Sequence, residues 1–228
     1  MLELLGCRDV SDAGVLALLS GCRKLRAASL GWCDVSDRGV EAISGLGATL
    51  TSIDLSGCAR VSDRSVRLLA ARCPHLATIL LEGCRELSGW AVTGASLHLE
   101  RLSLGGCTLV TDAGVGAFAR SCKYLRSLVV RQCRAISDVA LSLLATHCTL
   151  LESLDVSRCH SVTDTGLEAL AAGCRRMTSL ELEGVAPFTG PTAQPPAPSH
   201  PLPGSAPPFP PARRRLHRGD GPGSSAAC

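Results

Sequence analysis

From Leu151 to Arg176 the chain runs through a 26-residue phrase that begins again at Met177. Apolar residues stand at Leu151, Leu154 and Val156, and Cys159 follows. Thr163-Asp164 then opens a stretch with Leu167, Leu170, Ala171 and Cys174 at helical spacing. A short strand and a helix of this size cannot bury their apolar sides alone, so the phrase must stack on copies of itself. Leu25, Leu50, Leu76, Leu99 and Leu125 head such copies. Cysteines fix the register: Cys7 and Cys22, Cys58 and Cys73, Cys107 and Cys122, Cys133 and Cys148, Cys159 and Cys174 each lie 15 residues apart. Of 13 cysteines only Cys228 falls outside this grid.

Alternation is confined to about five residues after each leading leucine, as in Ile53 and Leu55 or Leu128 and Val130, which predicts a short half-buried strand. A hydroxyl at Ser11, Ser36, Ser62, Ser88, Thr111, Ser137 and Thr163 marks the helix start, where it can accept from an unpaired amide of the first turn. Asp follows in all copies but one, near the positive end of the helix dipole. An apolar stripe follows, for example Val40 and Ile43 or Leu141 and Leu144. A small residue precedes it each time (Gly14, Gly39, Ser65, Ala91, Gly114, Ala140, Gly166), which predicts close backbone packing. Strand-to-strand crossovers through a helix wind right-handed. The expected fold is therefore α/β, a right-handed horseshoe solenoid with a concave parallel sheet and convex helices, about eight repeats over residues 1–186.

Two copies depart from the pattern. The second is one residue short in its loop and has Gly47 where the helix-end cysteine belongs. The fourth, Leu76 to His98, is three residues short, with Gly89 for the capping Asp and Ser96 near its helix end. This predicts a local kink, with a notch for a partner as the sharper alternative. Met1 enters halfway through a strand, and after Gly184 the pattern stops, with Val185 where cysteine belongs. Twelve of the 13 prolines lie from Pro187 onward, so residues 187–228 are expected to form a disordered tail. These ends suggest a truncated product, or read-through into an intron at Val185, testable by sequencing the transcript across the Gly184 codon. Within the tail, Pro208-Phe209-Pro210-Pro211-Ala212-Arg213 fits a polyproline ligand, and Arg213 to Arg218 an acidic-surface or nuclear signal.

Composition narrows the function. A net charge of +3, concentrated in the tail, and 3% aromatic content argue against a nucleic-acid binder. No apolar run is long enough to span or anchor in a membrane. The first six residues lack the basic start and apolar run of a signal peptide, so the expectation is a cytoplasmic protein, with the nucleus as the other compartment. Neighbouring copies could bring thiols within disulfide reach; a reducing compartment favours buried free thiols, small apolar groups with a weak donor. The Asp residues are explained as helix starts and the cysteines as core. No zinc spacing and no glycine-rich phosphate loop exist, so neither an enzyme nor a cofactor or metal site is expected.

What the pattern leaves free is the set of strand positions between the buried leucines. Position five reads Glu3, Ser29, Asp54, Leu80, Ser103, Val129, Asp155, Glu181, and position seven reads Leu5, Gly31, Ser56, Glu82, Gly105, Arg131, Ser157, Glu183. Position eight contributes Trp32, Gln132 and Arg158 among glycines. Exposed Trp and Arg most often anchor interfaces. The candidate protein-binding residues of the concave face are Trp32, Leu80, Val129, Arg131, Gln132, Asp155 and Arg158, in a chain expected to be monomeric.

The phrase L-x-x-L-x-L-x-x-C, followed by a Ser/Thr-Asp helix start and a second cysteine, resembles the cysteine-containing leucine-rich repeats. These occur in F-box/leucine-rich-repeat substrate receptors of ubiquitin ligases and in F-box-free relatives such as antagonist-of-mitotic-exit proteins. The resemblance covers Leu2 to about Gly184. It implies a non-catalytic protein-binding module, serving substrate recognition for an SCF-type ligase, or alternatively an F-box-free adaptor or inhibitor. A Skp-type adaptor and cullin are implied only if a longer form carries an F-box, which these residues do not contain.

Overall fold

The computed structural model describes residues 1–88 and 98–185. Eight short strands form one parallel sheet in chain order, β1 (Leu2–Glu3), β2 (Ala27–Ser29), β3 (Ser52–Asp54), β4 (Thr78–Leu80), β5 (Arg101–Ser103), β6 (Ser127–Val129), β7 (Ser153–Asp155) and β8 (Ser179–Glu181). Among the described residues six α-helices lie outside it, α1 (Asp12–Gly21), α2 (Asp37–Ser44), α3 (Asp63–Arg72), α4 (Asp112–Ser121), α5 (Asp138–His147) and α6 (Asp164–Gly173). Pairing is in phase along the whole sheet: Ala28 faces Ile53, Ile53 faces Ile79, Leu102 faces Leu128 and Leu154 faces Leu180. The stack is thus the expected right-handed α/β solenoid, with the sheet as its inner face.

One continuous core runs through the stack, built from the leading leucines, the inward strand residues, the helix stripe and the cysteines. Between copies it is joined by three polar ladders. The strand-side thiol donates to a carbonyl of the preceding copy: Cys33 to Leu4 at 3.0 Å, Cys58 to Leu30 at 3.2 Å, Cys107 to Leu81 at 3.1 Å, Cys159 to Val130 at 3.2 Å. The backbone N–H three residues after the end of the strand donates to the next copy, as Gly57 does to the Glu82 carbonyl at 2.6 Å. The third ladder was not visible from single helices. The first-turn Asp accepts from the capping residue of the following helix. Asp12 takes the Ser36 N–H at 2.8 Å and its hydroxyl at 2.5 Å, and Asp138 takes the Thr163 N–H at 2.7 Å and its hydroxyl at 2.6 Å. The dipole explanation for these acids was incomplete; they are the bond between neighbours.

This ladder also explains the small residue before the stripe at Gly39 and Gly166. A Cβ on Gly39 would sit 2.5 Å from the Asp12 carboxylate, and one on Gly166 2.3 Å from that of Asp138. In the third copy Ser65 fills the place and turns its hydroxyl onto Asp37. Burial alone would raise the Asp37 pKa, but hydrogen bonds from the Ser62 and Ser65 hydroxyls and the Ser62 N–H outweigh it and hold the carboxyl below its ordinary value.

Several expectations need correction. Cys7 and Cys22 are exposed rather than core, whereas the other ten grid cysteines are buried free thiols. Ser11, predicted to cap α1, makes no side-chain capping bond, while Ser36, Ser62, Thr111, Ser137 and Thr163 all do. Among the described residues no copy stands before the first to cover its thiols, and no Asp accepts from Ser11. In the second copy the irregularity extends past the short loop. Helix α2 has 8 residues where the other described helices have 10, and a 3-10 turn at Gly47–Thr49 completes the connection. The helix expected in the fourth copy and the disordered tail expected at 187–228 lie outside the described residues, with Gly89, Ala91 and Ser96 among them, so the kink or notch expected there does too.

Candidate functional site

The inner face is built by position five, the outward residue of each strand, and position seven, just beyond it. Leu80 and Val129 are half-buried on β4 and β6, and Arg131 is exposed in the turn after β6. Arg131 lies over Gly105, where a Cβ would meet its Cγ at 2.9 Å, and forms an ion pair with Glu82, two strands away. Glu82 also accepts from the Ser103 hydroxyl at 2.8 Å. The small residue at 105 is what lets one guanidinium cross an intervening strand. The result is a polar strap across the middle of the face, with Leu80 beside its Glu82 end and Val129 beside its Arg131 end.

Asp155 is placed differently. It is 8% exposed, and its carboxylate accepts from the Ser157 N–H at 2.8 Å, fixing the turn after β7. Asp54 does the same for Ser56 at 2.9 Å. The sequence reading of Asp155 as a free surface group missed this shared turn-holding role, which the D-x-S spacing at both places signals.

Trp32, Gln132 and Arg158 stand apart from the strands. They are the only non-glycine residues with positive φ among the described residues, at 62°, 61° and 61°. The equivalent place in the other five copies is glycine: Gly6, Gly57, Gly83, Gly106 and Gly184, with φ from 66° to 78°. The backbone ladder demands this conformation, because the N–H here must point at the next copy while the chain turns toward its helix. Trp32 donates to the Ser56 carbonyl at 2.6 Å, Gln132 to Ser157 at 2.8 Å and Arg158 to Glu183 at 2.7 Å. A left-handed conformation disfavours any L side chain by roughly 1–2 kcal/mol, and a bulky one such as Trp is a genuine outlier. Backbone strain of this kind clusters at functional places. The three side chains mark the edge where strands turn into helices, rather than the sheet face itself.

Trp32 is 56% exposed. Its ring lies flat on Gly57, where a Cβ would meet the ring at 2.4 Å. Beside it opens a shallow cleft of about 350 Å³, lined by Arg8, Trp32, Asp34, Gly57, Ala59 and Arg60. Arg158 pairs with Glu183 at 3.5 Å, and its stem packs over Gly184.

The buried cysteines offer no nucleophile in this architecture. Burial pushes the Cys107, Cys122 and Cys148 thiols up to about 12 and those of Cys58, Cys159 and Cys174 up to about 11. A thiol so placed is protonated and inert at neutral pH. Among the described residues no group of three or more His, Cys, Asp or Glu is arranged to hold a metal ion. None of the described helices is long and apolar enough to cross a membrane.

In-phase parallel strands, outer helices and a core renewed every repeat define a strand–helix solenoid. Its particular kind is the leucine-rich repeat: the model described as Leucine Rich repeat matches residues 21–44, 48–70, 95–119 and 147–171. The chain is a leucine-rich-repeat solenoid. No curated protein matches it in sequence. Among solved structures it is similar to a chain of the Rad7 and Elc1 complex in yeast, at 17% identity and a TM-score of 0.51, covering 81% of this chain and 63% of that one. It is also similar to an internalin (inlF) from Listeria monocytogenes, at 21% identity and a TM-score of 0.51, covering 73% of this chain and 50% of that one. These likenesses establish the fold, and the chain spans less than two thirds of either structure.

Proposed function

We propose that the chain is a protein-interaction module that holds a partner on its inner sheet face, without catalysis of its own. The observation that carries this reading is the division of labour within each copy. Leucines, cysteines and first-turn acids are consumed by contacts between copies, while positions five and seven recur in register across eight strands and differ from copy to copy. A surface held rigidly by an invariant scaffold, yet varied in side chain, suits selective recognition of another protein. Leu80, Val129 and Arg131 are its central residues. Asp155 supports the surface from within, and Trp32, Gln132 and Arg158 border it. The finer reading is substrate recognition for an SCF-type ubiquitin ligase, supported by the resemblance of the cysteine-bearing phrase to F-box-associated repeats.

A pull-down with the Val129→Glu, Arg131→Glu double variant tests the surface. The variant is expected to lose stoichiometric partners while keeping the wild-type circular dichroism; an unchanged set of partners overturns the assignment. Purification of the longest transcript product separates the finer readings. Recovery of a Skp-type adaptor with a cullin supports the ligase role, and their absence alongside a retained partner leaves an F-box-free adaptor or inhibitor.

A further inference from the structure

We propose that the strand-to-helix edge is a second docking surface, shaped for an extended acidic segment of a protein partner. This does not rest on the sheet-face reading. In stack order the turns along the edge carry Arg8, Arg60, Arg85, Arg134 and Arg158, all exposed, and the acids Asp9, Asp34 and Glu86. Arg60 is paired with Asp34 at 2.7 Å and Arg158 with Glu183 at 3.5 Å. Arg8, Arg85 and Arg134 make no ion pair among the described residues.

Stability does not account for this arrangement. The N-termini of the helices lie at the same edge, and their positive dipole ends disfavour nearby guanidinium groups. The left-handed residues Trp32, Gln132 and Arg158 occupy that edge too, where glycine would be less strained. Two unrelated departures from the most stable choice, one electrostatic and one conformational, thus coincide on one surface.

The spacing suits an extended chain. Successive copies lie about 4.8 Å apart along the sheet, so copies two apart are separated by close to three residues of extended peptide at about 3.3 Å each. Arg8 and Arg60 are two copies apart, as are Arg85 and Arg134. The unpaired Arg8, Arg85 and Arg134 stand in the first, fourth and sixth copies, so a segment with acids about four and then about three residues apart reaches all three. The cleft beside Trp32 offers room for one apolar side chain of that segment. A protein is favoured over nucleic acid because Asp9, Asp34 and Glu86 interrupt the positive row, which unequally spaced acids can avoid and a continuous phosphate backbone cannot.

The probe is a fluorescein-labelled ten-residue peptide with glutamates at its first, fifth and eighth positions and a single leucine, titrated by anisotropy with the full chain. Saturable binding is expected, weakening as salt rises. It should fall at least ten-fold in the Arg8→Glu, Arg85→Glu, Arg134→Glu triple variant, with circular dichroism unchanged because all three side chains are exposed. The Val129→Glu, Arg131→Glu variant should bind as wild type. The proposal is overturned by an absence of saturable binding, or by equal binding of the triple variant, which moves the anion to the arginine run at residues 213–218. Loss through the sheet-face pair alone, or tighter binding of a ten-nucleotide single strand than of the peptide, also overturns it.

Discussion

The first and sixth copies carry the same phrase in different surroundings. Leu18 and Leu144 hold the same place on their helices, yet Leu18 is 38% exposed and Leu144 1%. Cys7 and Cys22 face solvent, while Cys133 and Cys148 are buried. Ser11 makes no capping bond; Ser137 caps α5 and also donates to Asp112 at 2.6 Å. Identical residues therefore become core, cap and ladder only when a copy stands on the preceding side. A repeat supplies half of each contact, and its neighbour completes it.

Thiol chemistry gives the widest separation between the two regions. Iodoacetamide labelling of the native chain, mapped by mass spectrometry, should modify Cys7 and Cys22 in minutes. Cys122 and Cys148 should resist by orders of magnitude, since a thiol pushed up to about 12 is almost wholly protonated near neutral pH. Core truncation comes next: Leu144→Ala should destabilise by about 2–5 kcal/mol in denaturant melts, and Leu18→Ala by under about 1 kcal/mol. Equal losses at the two positions would break the comparison.

The acid ladder predicts a smaller contrast of the same kind. Asp138→Ala removes the acceptor of both the Thr163 N–H and its hydroxyl, and should reduce stability by about 1–3 kcal/mol. Asp164 accepts from no later cap among the described residues, so Asp164→Ala should change stability by under about 1 kcal/mol, the scale of a dipole interaction. The sign of the pH dependence follows from Asp37. Its folded carboxyl lies below the ordinary 3.8, so its contribution is present above that pH and is lost as pH falls through the lowered folded value. The smallest expected effect is a gain: Gln132→Gly should stabilise by up to about 1 kcal/mol by relieving the left-handed backbone. The corresponding Gly106→Gln should lose a similar amount.

The period, the strand–helix alternation and the inward leucines were legible because each follows from a fixed spacing of apolar residues. Cysteine burial was legible for interior copies only, since a single phrase does not say which copies have neighbours. The Asp-to-cap bond was hidden for a different reason: it joins residues about 25 positions apart, and a local reading assigns the acid to its own helix. Asp155 was read as free although its partner, the Ser157 N–H, stands only two residues away and the D-x-S spacing signals it. Trp32, Gln132 and Arg158 were picked by residue type, and only the backbone reveals that they occupy a glycine's place. The Arg131–Glu82 strap spans two strands and depends on the missing side chain of Gly105, which no pairwise pattern encodes.

Native-state amide exchange read by mass spectrometry tests the dependence of each copy on its neighbours most directly. Amides of Asp138–His147, held between two copies, should exchange with the slow global opening of the stack. Those of Asp12–Gly21, with the same sequence pattern but one neighbour, should exchange at least a hundred-fold faster. Equal protection of the two helices would show that a copy holds itself together, and would contradict the picture of a stack in which each unit is completed by the next.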